Sequence, residues 1–100
     1  MKKYFVIGNP IEHSLSLKLH NHWFEQKNIN ALYDKKKVNE TDIERIILEV
    51  KTKKIDGINV TVPFKKLVIP FLDELTFLAD KTQSVNTIFK KENKIIGDNT

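Results

Sequence analysis

Ile58-Asn59-Val60-Thr61-Val62-Pro63 is the stretch that decides how this chain folds. Successive side chains of a strand point to opposite faces, so Ile58, Val60 and Val62 share one side while Asn59 and Thr61 share the other. Pro63 has no N–H to give to a ladder and ends the strand's hydrogen bonding. Asp56-Gly57 is a turn signal that leads the chain into the strand.

Working upstream, Ile43, Ile46, Ile47 and Val50 recur at helical spacing and predict an amphipathic helix. Thr41 and Glu44 are spaced as a capping box at its start. Ala31-Leu32-Tyr33 begins a weaker strand that runs into Lys35-Lys36-Lys37. Tyr4-Phe5-Val6-Ile7 is a short run of strand formers, closed by the turn signal Gly8-Asn9-Pro10. Between those two strands, Ser14 and Ser16 open a helical pattern in which Leu17, His20, Asn21 and Phe24 share a face, with Asn28 and Asn30 as its stop.

Downstream, residues 64–72 and 74–81 are expected to form two short helices. Residues 85–89 and 94–96 are expected to form a hairpin whose turn is residues 90–93. Strands alternating with helices predict an α/β domain whose early strands are parallel, with the hairpin adding an antiparallel piece.

Composition sets the bounds. One hundred residues suit a single domain, 1–100, that buries roughly 65% of its unfolded surface, a thin core. With 40% hydrophobic and 30% charged residues, the chain is expected to fold rather than stay disordered. Cysteine is absent, which excludes disulfides and thiolate metal sites. The amino-terminal apolar run is too short for a signal peptide, and no stretch approaches the roughly 20 apolar residues of a membrane span. A cytoplasmic protein is expected, with no membrane partner.

The net charge is +4, carried in lysine clusters. With one arginine and no groove-reading motif or aromatic platform, these clusters read as solvated helix ends and turns rather than a nucleic-acid surface. A mildly basic surface also suits an acidic small molecule.

Three segments could carry chemistry. Asn59 and Thr61 lie toward the carboxyl end of their strand, where α/β sheets bind ligands, and Lys65 follows just past Pro63. Such a lysine can pair with an anion or move a proton. The plainer reading is a solvent-facing strand and a solvated lysine. Ser14 and Ser16 at a helix start could hold a carboxylate, or one of them could simply cap the helix. Asn86, within Ser84-Val85-Asn86-Thr87, is either a ligand contact or a turn-facing amide. His13, His20 and His22 have spacings that do not put two metal ligands on one helix face, so no metal is expected. Three glycines give no phosphate-binding loop.

In this order, the segments resemble the shikimate dehydrogenase family. The resemblance runs through Gly8-Asn9-Pro10-Ile11-Glu12-His13-Ser14-Leu15-Ser16, His20-Asn21, residues 59–65, Asp73-Glu74-Leu75, Val85-Asn86-Thr87 and Gly97-Asp98-Asn99-Thr100. It implies a three-layer α/β/α domain with a mostly parallel mixed sheet, as in amino-acid-dehydrogenase-like amino-terminal domains. It also implies reduction of 3-dehydroshikimate to shikimate with NADPH, on the way to chorismate and the aromatic amino acids. In that scheme Ser14 and Ser16 hold the substrate carboxylate, Asn59, Thr61 and Asn86 bond the ring hydroxyls, and Lys65 is the acid/base group.

Leu17 stands where the family commonly has proline, and Gln83-Ser84 where it has Gly-Ala. The family's Asn-Thr-Asp motif is present here as far as Thr100. Its aspartate and the NADP-binding domain are absent from this chain, which is therefore expected to bind shikimate weakly and not to turn over alone, with no NADP(H) bound. A quinate-accepting relative and a stand-alone shikimate-binding module remain open as alternatives. So does homodimerisation, through the surface that would face a cofactor domain.

Overall fold

The computed structural model describes residues 2–8, 21, 25–27, 31–61 and 63–100. Among the described residues, six strands form one mixed sheet: β1 (Lys2–Gly8), β2 (Ala31–Lys37), β3 (Gly57–Val60), β4 (Glu74–Leu75), β5 (Thr87–Lys91) and β6 (Lys94–Asp98). Their order across the sheet is β2-β1-β3-β5-β6-β4. β1 is parallel to both β2 and β3, whereas β5 runs antiparallel to β3 and β6. The α/β architecture, the parallel early strands and the antiparallel hairpin are therefore as the residue patterns predict.

The core lies on one face of this sheet. Ile7, Ile58, Val60, Ile88 and Ile95 are buried there, together with Ile43, Ile46, Ile47 and Val50 of helix α1 (Ile43–Lys51). All four helical positions picked out by their spacing are buried. The helix start differs from the expectation for Thr41 and Glu44. A 3-10 turn at Glu40–Asp42 precedes α1, and the Asp42 carboxylate accepts the Asn39 N–H at 3.0 Å. The bonded pair is thus Asn39 and Asp42, two residues earlier, because the first turn is wound more tightly than an α-helix.

The helices expected at 64–72 and 74–81 take other forms. Residues 63–68 are turns followed by a 3-10 turn at Ile69–Phe71, since Pro70 cannot donate the N–H that would continue a helix. Glu74 and Leu75 form β4, parallel to β6. Asp73 secures that edge by donating its N–H to the Ile95 carbonyl at 2.9 Å and accepting the Ile95 N–H on Oδ2 at 2.8 Å. Helix α2 (Phe77–Thr82) starts only after Thr76 and ends at Gln83, whose φ of 52° and ψ of 41° are left-handed. Glycine is favoured in that conformation, and Gln83 takes it here without being one.

The β5–β6 hairpin turns on Glu92 and Asn93 with φ of 50° and 69°. Positive φ at both residues of a two-residue loop matches the right-handed twist of the strands. Among the described residues, no helix is long and apolar enough to cross a membrane.

Candidate functional site

Asn59 and Thr61 are half-buried on the side of β3 away from α1, as the alternation predicts. Register brings their neighbours to the same face: Val6 lies beside Asn59 on β1, and Thr87 lies beside it on β5. Gly57, two residues earlier on this face, lacks the Cβ that would stand 3.0 Å from Cδ1 of Tyr4, so the Tyr4 ring can lie against the strand. The carboxyl ends of β1 and β3 finish together, where the Thr61 N–H donates to the Ile7 carbonyl at 3.0 Å.

Polar side chains converge there. The Tyr33 hydroxyl donates to Oδ1 of Asn59 at 2.8 Å. Asn59 Nδ2 donates over 3.4 Å to both the Asn86 carbonyl and Thr87 Oγ1. Thr87 Oγ1 in turn donates to Asn86 Oδ1 at 3.0 Å. Burial pushes the Tyr33 hydroxyl above the ordinary phenol value, so it remains a donor through the physiological range.

Asn86 is committed to its own chain. Its Oδ1 accepts the Thr100 N–H at 3.1 Å, and its Nδ2 donates to the Thr100 carbonyl at 3.1 Å and to Asn99 Oδ1 at 3.2 Å. Asn99 then donates to Thr82 Oγ1 at 3.0 Å, tying the segment to α2. Residues 99–100 are thereby fastened at the rim of the site.

Lys65 is half-buried one turn beyond β3, and its carbonyl accepts the Val85 N–H at 2.8 Å. That bond fixes its backbone next to Asn86. Among the described residues its ammonium has no hydrogen-bond or ion-pair partner. The structure thus brings Asn59, Thr61, Lys65 and Asn86 to one end of the sheet. Ser14, Ser16 and the three histidines lie outside the described residues, as do most of the helix expected there and Val62.

The polar groups gathered here are two carboxamides, two threonine hydroxyls and one ammonium, a mix of donors and acceptors that suits a small polyhydroxylated anion. A family model described as shikimate dehydrogenase substrate binding domain matches residues 6–88. The chain belongs to this family. A shikimate dehydrogenase (NADP(+)) from Pelagibacter ubique is 59% identical over 101 aligned residues, covering 100% of this chain and 38% of that protein. The crystal structure of shikimate dehydrogenase 1 from Peptoclostridium difficile superposes with a TM-score of 0.90 at 34% identity, over 100% of this chain and 38% of that one. A Thermus thermophilus shikimate 5-dehydrogenase in complex with NADP(H) and shikimate superposes with a TM-score of 0.88 at 27% identity, over 99% of this chain and 38% of that one. The chain therefore spans little more than a third of the length of these family members.

Gly8 ends β1, Gly57 begins β3 and Gly97 lies within β6, and none has positive φ. The polar network also includes Tyr33, Thr87 and Asn99, which the sequence pattern did not single out. Thr87 was legible through its alternation with Ile88, which faces the core. Tyr33 carries no local signal, since only sheet register brings β2 within reach of β3.

Proposed function

We propose that this chain is the substrate-binding part of an NADP-dependent shikimate dehydrogenase, which interconverts 3-dehydroshikimate and shikimate. Ser14 and Ser16 take the carboxylate, Asn59 and Thr61 bond ring hydroxyls, and Lys65 holds a proton at the reacting oxygen. Asn86 joins them by exchanging its longest contact, Thr100 Oγ1 at 3.4 Å, for a ring hydroxyl. The observation that carries this reading is the gathering of Asn59, Thr61, Lys65 and Asn86 at the carboxyl ends of β1 and β3, where open α/β sheets receive ligands.

In the reductive direction a carbonyl oxygen gains negative charge and needs one proton, which a lysine ammonium at hydrogen-bond distance can donate. In the oxidative direction the amine form takes that proton back. The hydride is exchanged with NADP(H) bound by residues outside these hundred. By themselves the hundred residues bind shikimate without turning it over.

A shikimate titration followed by backbone amide NMR tests this. Saturable shifts at residues 59–65, at Asn86 and at residues 14–17 are expected. A folded chain whose amides ignore millimolar shikimate would overturn the assignment. Quinate in parallel distinguishes the quinate-accepting alternative, since both acids share the carboxylate and the diol.

A further inference from the structure

Tyr33 is only 6% exposed, yet its hydroxyl reaches from β2 across β1 to Asn59 on β3. A buried hydroxyl without an acceptor is costly, so this bond constrains both partners. An asparagine amide has two orientations, related by exchange of its oxygen and nitrogen. Here Tyr33 donates to one end, and the Asn86 carbonyl, which can only accept, lies 3.4 Å from the other. The reversed orientation would set the Asn59 oxygen against that carbonyl and its NH2 against the hydrogen of the Tyr33 hydroxyl. The two contacts of Nδ2 are both 3.4 Å, longer than a good N–H···O bond. Its hydrogens are therefore weakly used and available to a better acceptor.

Tyr33 is itself held from outside the sheet. β2 is an edge strand, and on its free edge the Asn21 side chain mimics a further strand. Asn21 Nδ2 donates to the Tyr33 carbonyl at 2.7 Å, and the Tyr33 N–H donates to Asn21 Oδ1 at 2.9 Å. Two short bonds to one residue fix the backbone from which the phenol projects.

We infer that Tyr33 is a positioning residue, locked by Asn21, that holds the Asn59 carboxamide with its nitrogen toward the ligand side. Resting on the shikimate reading above, it makes Asn59 a donor to a ring hydroxyl of the substrate. Asn21, otherwise only a helix-face residue, thereby acts on the site through one intermediary, Tyr33.

The test uses the chain with ¹⁵N-labelled asparagine side chains, the variants Tyr33→Phe and Asn59→Ala, and the double variant. Tyr33→Phe keeps the ring and its packing. It is expected to shift and broaden the Asn59 side-chain amide signals without ligand, and to weaken shikimate binding about 10-fold, a difference of roughly 1.4 kcal/mol. In the Asn59→Ala background the same substitution is expected to change affinity less than about twofold, a non-additivity that reports direct coupling. Asn21→Ser is expected to move the Asn59 amide in the same direction as Tyr33→Phe. Equal loss of affinity with and without Asn59, or an Asn59 amide indifferent to Tyr33→Phe, would overturn the proposal. Should the unaltered chain not bind shikimate, the substrate reading fails and the Asn59 amide signal alone decides the role of Tyr33.

Discussion

Asn86 and Thr100 are bonded in both directions, the Thr100 N–H to Asn86 Oδ1 and Asn86 Nδ2 to the Thr100 carbonyl, each at 3.1 Å. One side chain thus stands in for a strand partner and holds the backbone of residues 99–100 beside the site. Asn86→Ala removes both bonds along with those to Asn99 and Thr87. Water replaces some of them because the pair is partly exposed, so the expected cost is about 1–2 kcal/mol. Urea denaturation measures that loss, and hydrogen exchange at the Thr100 amide should quicken at the same time. Unchanged exchange there would mean that something other than Asn86 holds the segment.

Gly97 predicts a larger effect from a smaller change. A Cβ at this position would sit 2.5 Å from Leu72 Cδ1, 3.0 Å from Val85 Cγ2 and 3.1 Å from Leu75 Cδ2. All three neighbours pack against the core, with Val85 fully buried. Gly97→Ala is therefore overpacked and is expected to lose about 1–3 kcal/mol. Adding Leu72→Ala to Gly97→Ala should cost less than Leu72→Ala alone, because the shortest clash is then gone. Additive losses in chemical denaturation would show that the overlap is relieved some other way.

How far the sequence could be read depended on whether the decisive contacts were local. Ile43, Ile46, Ile47 and Val50 announce their helix because burial and helical period agree within nine residues. Ile58 and Val60 against Asn59 likewise divide a strand into a core face and a site face. Residues 64–82 misled because their structure is set from a distance. Glu74 and Leu75 become a strand through β6, and Asp73 is held by Ile95, 22 residues away. The site divides the same way. Asn59 and Thr61 stand out as polar residues on an apolar strand, Lys65 and Asn86 take their site roles from the family resemblance, and Tyr33 resembles any strand tyrosine until register brings it to Asn59.

The raised Tyr33 pKa makes part of the chain's stability sensitive to alkali. Burial disfavours the phenolate, so the folded-state pKa lies above the ordinary value of 10.0. The unfolded chain then loses this proton at lower pH than the folded one. The stability from Tyr33 is complete below about pH 10 and is lost as pH rises through the folded-state value. Other groups titrate in the same range, so the useful quantity is the difference between the unaltered chain and Tyr33→Phe. That difference should favour the unaltered chain at pH 8 and move toward the variant by pH 11. A pH-independent difference in denaturation midpoints would count against the buried phenol.

Lys65 allows a separation of folding, binding and catalysis. Its backbone carbonyl, bonded to Val85, does the structural work, and its ammonium has no partner among the described residues. Lys65→Met keeps the carbonyl and an apolar stem of similar length. Its effect on stability is expected to stay within about 0.5 kcal/mol, as for surface substitutions that break no contact. Shikimate affinity should fall only a few-fold, because the carboxylate and diol contacts remain. In a protein completed with an NADP-binding domain, loss of the proton donor should lower kcat by about 10²–10⁴-fold with a much smaller change in KM. The comparison needs only a melt, a titration and steady-state kinetics. A KM effect as large as the kcat effect would reassign Lys65 from proton transfer to substrate binding.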